Sequence, residues 1–264
     1  VSLAAELASW IEDKFELPPT DLPDLRDVPP DEAATVLRSM WSLGEVPAPN
    51  MVHLLEAHGV RVFSLVDDCK ALDAISCWID DRPFVFLTRH KSPERARWDA
   101  AHELGHLVLH LGAPPHGKEQ EDQADEFAGA FLLPARGVRA RAPRYPALPD
   151  VLQEKLHWRV SALAYLRCLE KLNILTEWRY RSLVIEASQA GYRRQEGDIE
   201  REASQLIPKV LAALEDEGIG IPAIAAELDI NSSELRGLLF APLNMIAGGT
   251  ARAQGSRPEL RLVQ

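Results

Sequence analysis

The sequence predicts an α+β fold, with a small antiparallel or mixed sheet, a pair of long helices, and a mainly helical region after them. Three observations support this prediction. The short apolar segments AISCWI and PFVFLT are joined by the polar turn DDR, which is the pattern of a β-hairpin. The two segments that follow have helical periodicity with clear start and stop signals. From residue 141 onward, apolar residues recur mainly at helical spacing.

Composition and charge restrict the class of protein. Of 264 residues, 46% are hydrophobic and 26% are charged, which is enough to build a globular core. The net charge of −11 does not favour nucleic-acid binding over the whole surface. Three cysteines without metal-type spacing fit a reducing compartment, and the N-terminus lacks the pattern of a secretory signal. No apolar run is long enough to span a bilayer, so we expect a cytoplasmic protein with no membrane partner.

The elements before the hairpin alternate between helix, loop and strand. Residues 3–15 have an amphipathic pattern that predicts a helix, and the proline-rich, acidic stretch after them predicts an exposed connection. A second helix is expected within PPDEAATVLRSMW, where proline and aspartate suit a first turn. APNMVHLLEAHGV predicts a short helix between an Asn50 N-cap and Gly59, and VRVFSL then predicts a strand.

Two helices follow the hairpin. In SPERARWDAAHELGHLVLHL, Ser92 is the expected N-cap, Pro93 occupies the first helical position, and Gly112 lies just beyond the end. EDQADEFAGAFLLP predicts the second helix, which Pro134 ends.

Charge divides the chain near residue 140. Residues 1–134 contain 24 acidic and 11 basic side chains, whereas residues 135–194 contain 5 acidic and 12 basic ones. We therefore expect one domain over residues 1–140 and a helical C-terminal region over residues 141–264.

The segment AHELGH contains the elements of a metal site. On a helix, residues four apart lie on the same face, so His102 and His106 can direct their imidazoles at one ion. Glu103 follows His102 and would face the open coordination side. This is the H-E-x-x-H arrangement of two zinc ligands and a general base. A catalytic zinc has three protein ligands, so a third ligand is required.

The second helix offers the third ligand. Its apolar stripe must face the core that it shares with the first helix; the stripe consists of Ala124, Phe127, Ala128 and Phe131. Glu121 lies on the flank of that face and is the expected ligand, with Glu119 and Asp122 as alternatives. Asp125, one turn after Glu121, is expected to accept a hydrogen bond from a ligand histidine and so to fix its tautomer.

The expected chemistry is hydrolysis of a peptide bond. A Zn²⁺ cofactor would polarise the substrate carbonyl and lower the pKa of the attacking water towards about 7. Glu103 would take the water proton and deliver it to the leaving amine. Three residues are candidates for stabilising the oxyanion: His110, Tyr145 and Arg97.

Other features near the site have two interpretations. The strand PFVFLT is a candidate for an exposed sheet edge that aligns an extended substrate. His110, one turn beyond His106, is more typical of a surface or core histidine than of a ligand. His116 lies in a loop and is expected to have no role.

The two helices resemble those of a known family. WDAAHELGHLVLH and EDQADEFAGAFLLP are similar to the active-site motifs of the ImmA/IrrE metallopeptidases, which implies a zincin-like domain with a small sheet and active-site helices. The resemblance implies His102, His106 and Glu121 as zinc ligands and Glu103 as the base. Asp125 occupies the position where the family has Asn or Asp.

The resemblance covers roughly residues 40–195 and implies a biological role. It predicts a cytoplasmic zinc endopeptidase that cleaves a protein partner, such as a helix-turn-helix repressor or an antitoxin, to regulate stress or mobile-element genes. Two alternatives are a zinc-containing regulatory protein that binds DNA or a repressor without cleaving it, and the toxin of a toxin–antitoxin pair.

The second half contains two segments with helix-turn-helix character. VSALAYLRCLEKLNIL has leucines at helical spacing and three nearby cations, Arg159, Arg167 and Lys171. IPAIAAELDINSSELRGLL has the rhythm of a helix pair but only one cation, Arg236. DNA contact is possible for both, but burial of the apolar faces is the favoured interpretation. GGTARAQGSRPEL predicts an irregular tail, and LRLVQ a final strand.

Overall fold

The computed structural model describes residues 2–65, 74–112, 117–193 and 196–239, together with the backbone of residues 261–262. Its contacts divide the chain into two compact units. The sheet unit consists of Val1–Asp21, Val52–Arg89 and Ala203–Gln264. The helical unit consists of Leu22–Met51 and His90–Glu202. The domain boundary at residue 140 stays a prediction.

The sheet unit contains a three-stranded mixed sheet. Its strands are β2 (Arg61–Ser64), β3 (Ala74–Ile79) and β4 (Arg82–Leu87). β3 and β4 form the predicted antiparallel hairpin, whose turn places Asp80 and Asp81 at positive φ. β2 pairs with β4 in parallel, so the strand order is β2-β4-β3.

The expectation of an exposed edge at PFVFLT is wrong. β4 is the central strand and is hydrogen-bonded on both sides, so its backbone cannot add a substrate strand. Five of its six residues are buried, because both of its faces are covered. The unbroken apolar run FVFL is the sequence signal for such a strand, since an edge strand with one wet face would alternate.

Helices surround the apolar residues of this sheet. They are α1 (Ser2–Glu12), α3 (Met51–Ala57, which begins at the unit boundary), α10 (Leu206–Asp216), α11 (Ile221–Glu227) and α12 (Ser232–Leu238). Phe63, Phe84 and Phe86 stack with ring centroids 6.1–6.3 Å apart and share a core with the apolar faces of α1, α10, α11 and α12. The favoured interpretation of IPAIAAELDINSSELRGLL, a helix pair that packs, agrees with this burial.

Two short strands complete the sheet unit. β1 (Phe15–Glu16) pairs antiparallel with β5 (Arg261–Leu262), so the predicted final strand is present. GGTARAQGSRPEL lies outside the described residues. Gly59 is required at its position, because its φ is +81° and an added Cβ would lie 2.5 Å from the carbonyl oxygen of Pro19.

The described residues of the helical unit form the predicted helix pair and five further helices. They are α2 (Pro30–Met40), α4 (Pro93–Leu109), α5 (Lys118–Leu132), α6 (Ala135–Arg141), α7 (Leu148–Trp158), α8 (Ala162–Lys171) and α9 (Glu177–Gln189). α5 packs against both α4 and α2. Arg38 of α2 is buried and donates to the carbonyl oxygens of Phe131, Gly44 and Val46, which ties α2 to the end of α5.

The cations of the VSALAYLRCLEKLNIL region each have a carboxylate within 4 Å. Arg159 lies 3.2 Å from Glu202, Arg167 lies 2.7 Å from Glu170, and Lys171 lies 3.5 Å from Glu126. Leu166 and Leu169 of α8 are fully buried. The segment therefore contributes to the core of the helical unit, and its positive charges are partly balanced within the protein.

In the part of the chain that the structure describes, no helix combines the length and the apolar composition that crossing a membrane requires.

Candidate metal centre

α4 begins as its sequence predicts and brings two histidines together. Ser92 has extended backbone angles and accepts a hydrogen bond from the N–H of Arg95, and Pro93 follows it. Further along α4, His102 and His106 lie one turn apart on the same face, with ring centroids 4.7 Å apart. His106 is buried and His102 is half-buried.

α5 packs closely against α4. Its apolar stripe of Ala124, Phe127, Ala128 and Phe131 is fully buried, as predicted. Gly105 makes the close approach possible, because a Cβ added there would lie 3.0 Å from Cδ1 of Phe127 and 3.3 Å from Cα of Ala124. The glycine between the two histidines thus lets the second helix bring its carboxylates to the first.

Three side chains converge on one point. Nε2 of His102 lies 3.0 Å from Nε2 of His106 and 3.2 Å from Oε2 of Glu121, and the distance from His106 Nε2 to Glu121 Oε1 is 3.5 Å. Within the described residues, these three side chains form a group whose ligand atoms lie within 4.8 Å of one another and could hold a metal ion. Glu119 and Asp122, the alternative ligands, do not belong to this group.

Asp125 lies behind His102. Nδ1 of His102 is 3.0 Å from Oδ1 of Asp125, and the indole N–H of Trp98 donates to the same oxygen at 3.1 Å. Burial acts to lower the pKa of His102, but the hydrogen bond and charge of Asp125, with the charges of Glu103 and Glu121, outweigh it and raise that pKa. Trp98 was not singled out in the sequence, although it lies one turn before His102 on α4.

A different pair of residues lies behind His106. Nδ1 of His106 is 2.9 Å from Nδ1 of His110, and Nε2 of His110 is 2.8 Å from Oε1 of Gln123. Sequence analysis noted the spacing of His110 but assigned it no role toward His106, and it missed Gln123 entirely. His116 lies outside the described residues.

Glu103 is buried beside His102, with 6% of its surface exposed. Its charge acts on His102, and a buried carboxylate next to a ligand histidine is suited to accept a proton.

Arg97 and Tyr145, two of the candidates for oxyanion stabilisation, are not members of the metal group. Arg97 is 1% exposed, and its guanidinium donates to the carbonyl oxygens of Pro49 and Ala48 and to Oε1 of Glu202, at 2.5 to 2.7 Å. Its charge is therefore engaged inside the helical unit. Tyr145 is 80% exposed.

The donor set fits the metal ion that its chemistry implies. Two imidazole nitrogens and one carboxylate from two helices are the protein ligands of many catalytic zinc sites, which keep a further position for water or substrate. The second nitrogen of each ligand ring also has a hydrogen-bond partner, as is usual for metal-bound histidines. With a glutamate directly after the first histidine, this fold and site define a zincin-like metallopeptidase domain.

The family model that matches this region agrees. Residues 55–166 match the peptidase M78 family, described as the IrrE N-terminal-like domain, and the match includes α4, α5 and the whole metal group. Residues 55–166 therefore form a metallopeptidase domain of the ImmA/IrrE family, which confirms the predicted resemblance and the predicted α+β class. The comparison with curated proteins finds no match.

Proposed function

We propose that the protein is a zinc-dependent endopeptidase that hydrolyses a peptide bond in a helix-turn-helix transcriptional repressor. The observation that carries this proposal is the convergence of His102, His106 and Glu121 in an ImmA/IrrE metallopeptidase domain, with Glu103 buried beside them.

Each residue has a distinct proposed role. When bound, zinc supplies a positive charge that polarises the substrate carbonyl and acidifies the attacking water. His102, His106 and Glu121 hold the ion. Glu103 accepts the water proton and returns it to the leaving amine. Asp125 accepts the Nδ1–H of His102 and keeps Nε2 directed at the ion.

The proposed substrate class follows from the domain family and from the accessibility of the site. A peptidase domain acts on a protein, and the side chain of Glu121 is 48% exposed, so a chain as bulky as a polypeptide can reach the ligands. The resemblance to ImmA/IrrE peptidases supports a cytoplasmic repressor as substrate and control of stress or mobile-element genes as outcome. On the change of charge in the sequence we also propose a peptidase module over residues 1–140 with an accessory helical module over residues 141–264.

The decisive experiment compares the wild type with Glu103→Gln in the native host. Protein N-termini are labelled and identified by mass spectrometry before and after DNA damage and oxidative stress. Loss of a general base costs roughly 10²–10⁴-fold in rate, so cleavage should disappear while zinc content, measured by mass spectrometry of the purified protein, is retained. Glu119→Gln is the matched control, because Glu119 is an exposed carboxylate on the neighbouring helix outside the metal group.

The outcomes separate the proposed function from its alternatives. A new N-terminus within a repressor that appears with the wild type and Glu119→Gln, but not with Glu103→Gln, establishes the peptidase and its substrate. Identical sets of N-termini from all three proteins, each with bound zinc, would instead indicate a metal-containing regulatory protein that does not cleave its partner.

A further inference from the structure

The two histidines of the metal group are supported in different ways. Nδ1 of His102 faces a carboxylate, that of Asp125, at 3.0 Å. Nδ1 of His106 faces another imidazole, that of His110, at 2.9 Å. The far nitrogen of His110 in turn lies 2.8 Å from the amide oxygen of Gln123 on α5.

The positions of the ring protons determine which nitrogen donates and which accepts in these hydrogen bonds. The metal-facing atom of His106 is Nε2, which must offer a lone pair, so the ring proton is on Nδ1. That proton can only be donated, and Nδ1 of His110 must therefore accept it. His110 then carries its own proton on Nε2, which donates to Oε1 of Gln123, an atom that can only accept.

We propose that His110 and Gln123 are positioning residues that hold His106 in the tautomer and orientation required for metal binding. This inference rests on the metal site of the proposed function, but not on peptidase activity. Gln123 fixes the proton of His110, and His110 fixes the proton of His106. Gln123 lies on α5, whereas His110 and His106 lie on α4 or at its end. The helix that supplies Glu121 therefore also determines the tautomer and orientation of His106.

Burial makes the support necessary. His106 is 5% exposed, and His110 and Gln123 are partly buried, so water has little access to Nδ1 of His106. A buried N–H group without an acceptor is unfavourable, and the ring would rotate to find one. Rotation would remove Nε2 from the point where it meets His102 and Glu121.

His110 does not act as a metal ligand or as the oxyanion donor in this arrangement. It lies outside the group of converging ligand atoms, and its two ring nitrogens have His106 and Gln123 as hydrogen-bond partners. Its position one turn beyond His106, at the C-cap of α4, places it behind the ligand ring.

The test measures zinc affinity of the full chain by competition with a chromogenic chelator. His110→Phe keeps a ring but has no acceptor, and zinc affinity should fall by roughly 10- to 100-fold, the usual cost of losing a partner of a metal ligand. His110→Asn is the matched control, because its amide oxygen can occupy the place of Nδ1 and should restore affinity to within a few-fold of wild type. Gln123→Met, which removes the second acceptor, should have a smaller effect than His110→Phe.

A second readout reports the tautomer directly. Long-range ¹H–¹⁵N NMR spectra of the metal-free protein should show His106 protonated at Nδ1 in the wild type and in His110→Asn, and a mixture of tautomers in His110→Phe. Wild-type zinc affinity together with an unchanged His106 tautomer in His110→Phe would overturn the proposal. If His110→Phe does not fold, Gln123→Met decides, since unchanged affinity and an unchanged tautomer of His110 there would also overturn it.

The measurement is independent of the proposed peptidase. Reduced zinc affinity in His110→Phe supports the positioning role even if no cleaved protein is found in the host. Conversely, a cleaved substrate together with unchanged affinity in His110→Phe would retain the peptidase and remove this inference.

Discussion

The α4–α5 pair and the α11–α12 pair are both two-helix segments with apolar periodicity, but they bury different side chains. α4 buries five polar or charged residues, namely Glu94, Arg97, Asp99, Glu103 and His106. α11 and α12 bury only apolar ones, which are Ile221, Ile224, Ala225, Leu235 and Leu238. Helical rhythm alone therefore does not distinguish a chemical site from a packing element.

The difference has a physical basis. Burying a polar or charged group is unfavourable unless it finds a partner, so each buried polar group of α4 must be matched by another polar group. Arg97 is matched by Glu202, and His106 by His110. α11 and α12 need no such matching and contribute to stability through apolar burial. Substitutions at the metal group of the first pair should thus change metal binding, and those in the second pair should change stability alone.

The largest expected effect is on the metal ligand from α5. Glu121→Gln replaces an anionic ligand by a neutral amide, and zinc affinity should fall by more than the roughly 100-fold that loss of a supporting partner can cost. Chelator competition measures it. Glu119→Gln, on the same first turn of α5, should bind zinc as the wild type does. Equal affinities of the two variants would place the third ligand elsewhere.

The packing pair should show the opposite behaviour. Leu235 is fully buried, and Leu235→Ala should lower the free energy of unfolding by about 2–5 kcal/mol in urea denaturation, because a cavity is left in the core of the sheet unit. The affinity of the folded protein for zinc should not change. Glu234→Ala, next to it on the exposed side, should stay within about 0.5 kcal/mol of wild type. A large loss of zinc affinity in Leu235→Ala would contradict the division into chemical and packing pairs.

Local signals in the sequence predicted the elements of the metal centre. Ser92, Pro93 and the histidine spacing depend on contacts within a few residues, so the start of α4 and the convergence of His102 with His106 followed from helix geometry. Glu121 and Asp125 could be selected because the apolar stripe of α5 has only one way to face the core. The hairpin of β3 and β4 was equally local, since its turn consists of Asp80 and Asp81.

What the sequence could not predict depends on contacts between distant residues. The parallel pairing of β2 with β4 involves segments separated by a long connection, and it alone makes β4 central. Arg97 was a candidate oxyanion donor, but Glu202, which binds it, is 105 residues away. Gln123 shows no pattern of its own, because its role depends on which imidazole nitrogen of His110 is turned towards it.

Gly105 allows the approach of α5 to α4, and its substitution tests how tightly the two helices must pack. Gly105→Ala gains up to about 1 kcal/mol in helix propensity, but overpacking a dense contact typically costs about 1–3 kcal/mol. We expect a net loss of up to about 2 kcal/mol in thermal or urea unfolding, with weaker zinc binding because Glu121 moves with α5.

Gly129→Ala provides the matched control on α5. The nearest atom to its added Cβ is Cη2 of Trp98 at 3.5 Å, an ordinary contact, so this variant should be neutral or more stable by up to about 1 kcal/mol. If Gly105→Ala were as stable as Gly129→Ala and bound zinc as tightly, close approach of the helices would not be needed.

The smallest expected effect is a change in the pH dependence of stability. It concerns Glu56, a buried carboxylate of the sheet unit. Glu56 is 5% exposed and accepts hydrogen bonds from the hydroxyl of Ser204 and from the backbone N–H groups of Gln205 and Leu206, where it caps the start of α10. Burial raises its pKa above the ordinary value of 4.5, and the hydrogen bonds only partly oppose this.

The sign of the pH dependence follows from that raised pKa. The stability that protonated Glu56 contributes is fully present below pH 4.5 and is lost as pH rises through the higher pKa of the folded state. Glu56→Gln cannot titrate, so its free energy of unfolding relative to wild type should increase over this interval and then level off. The difference in unfolding free energy between Glu56→Gln and wild type should stay below about 1.5 kcal/mol, because an amide keeps one acceptor for the start of α10.

Ser204→Ala removes a donor that lowers the pKa of Glu56, so in this variant the loss of stability should extend to higher pH. A pH-independent difference between Glu56→Gln and wild type would show that this carboxylate is only a cap. In that case the contribution of this buried ionisable group to stability would be as independent of pH as that of the leucines of α12.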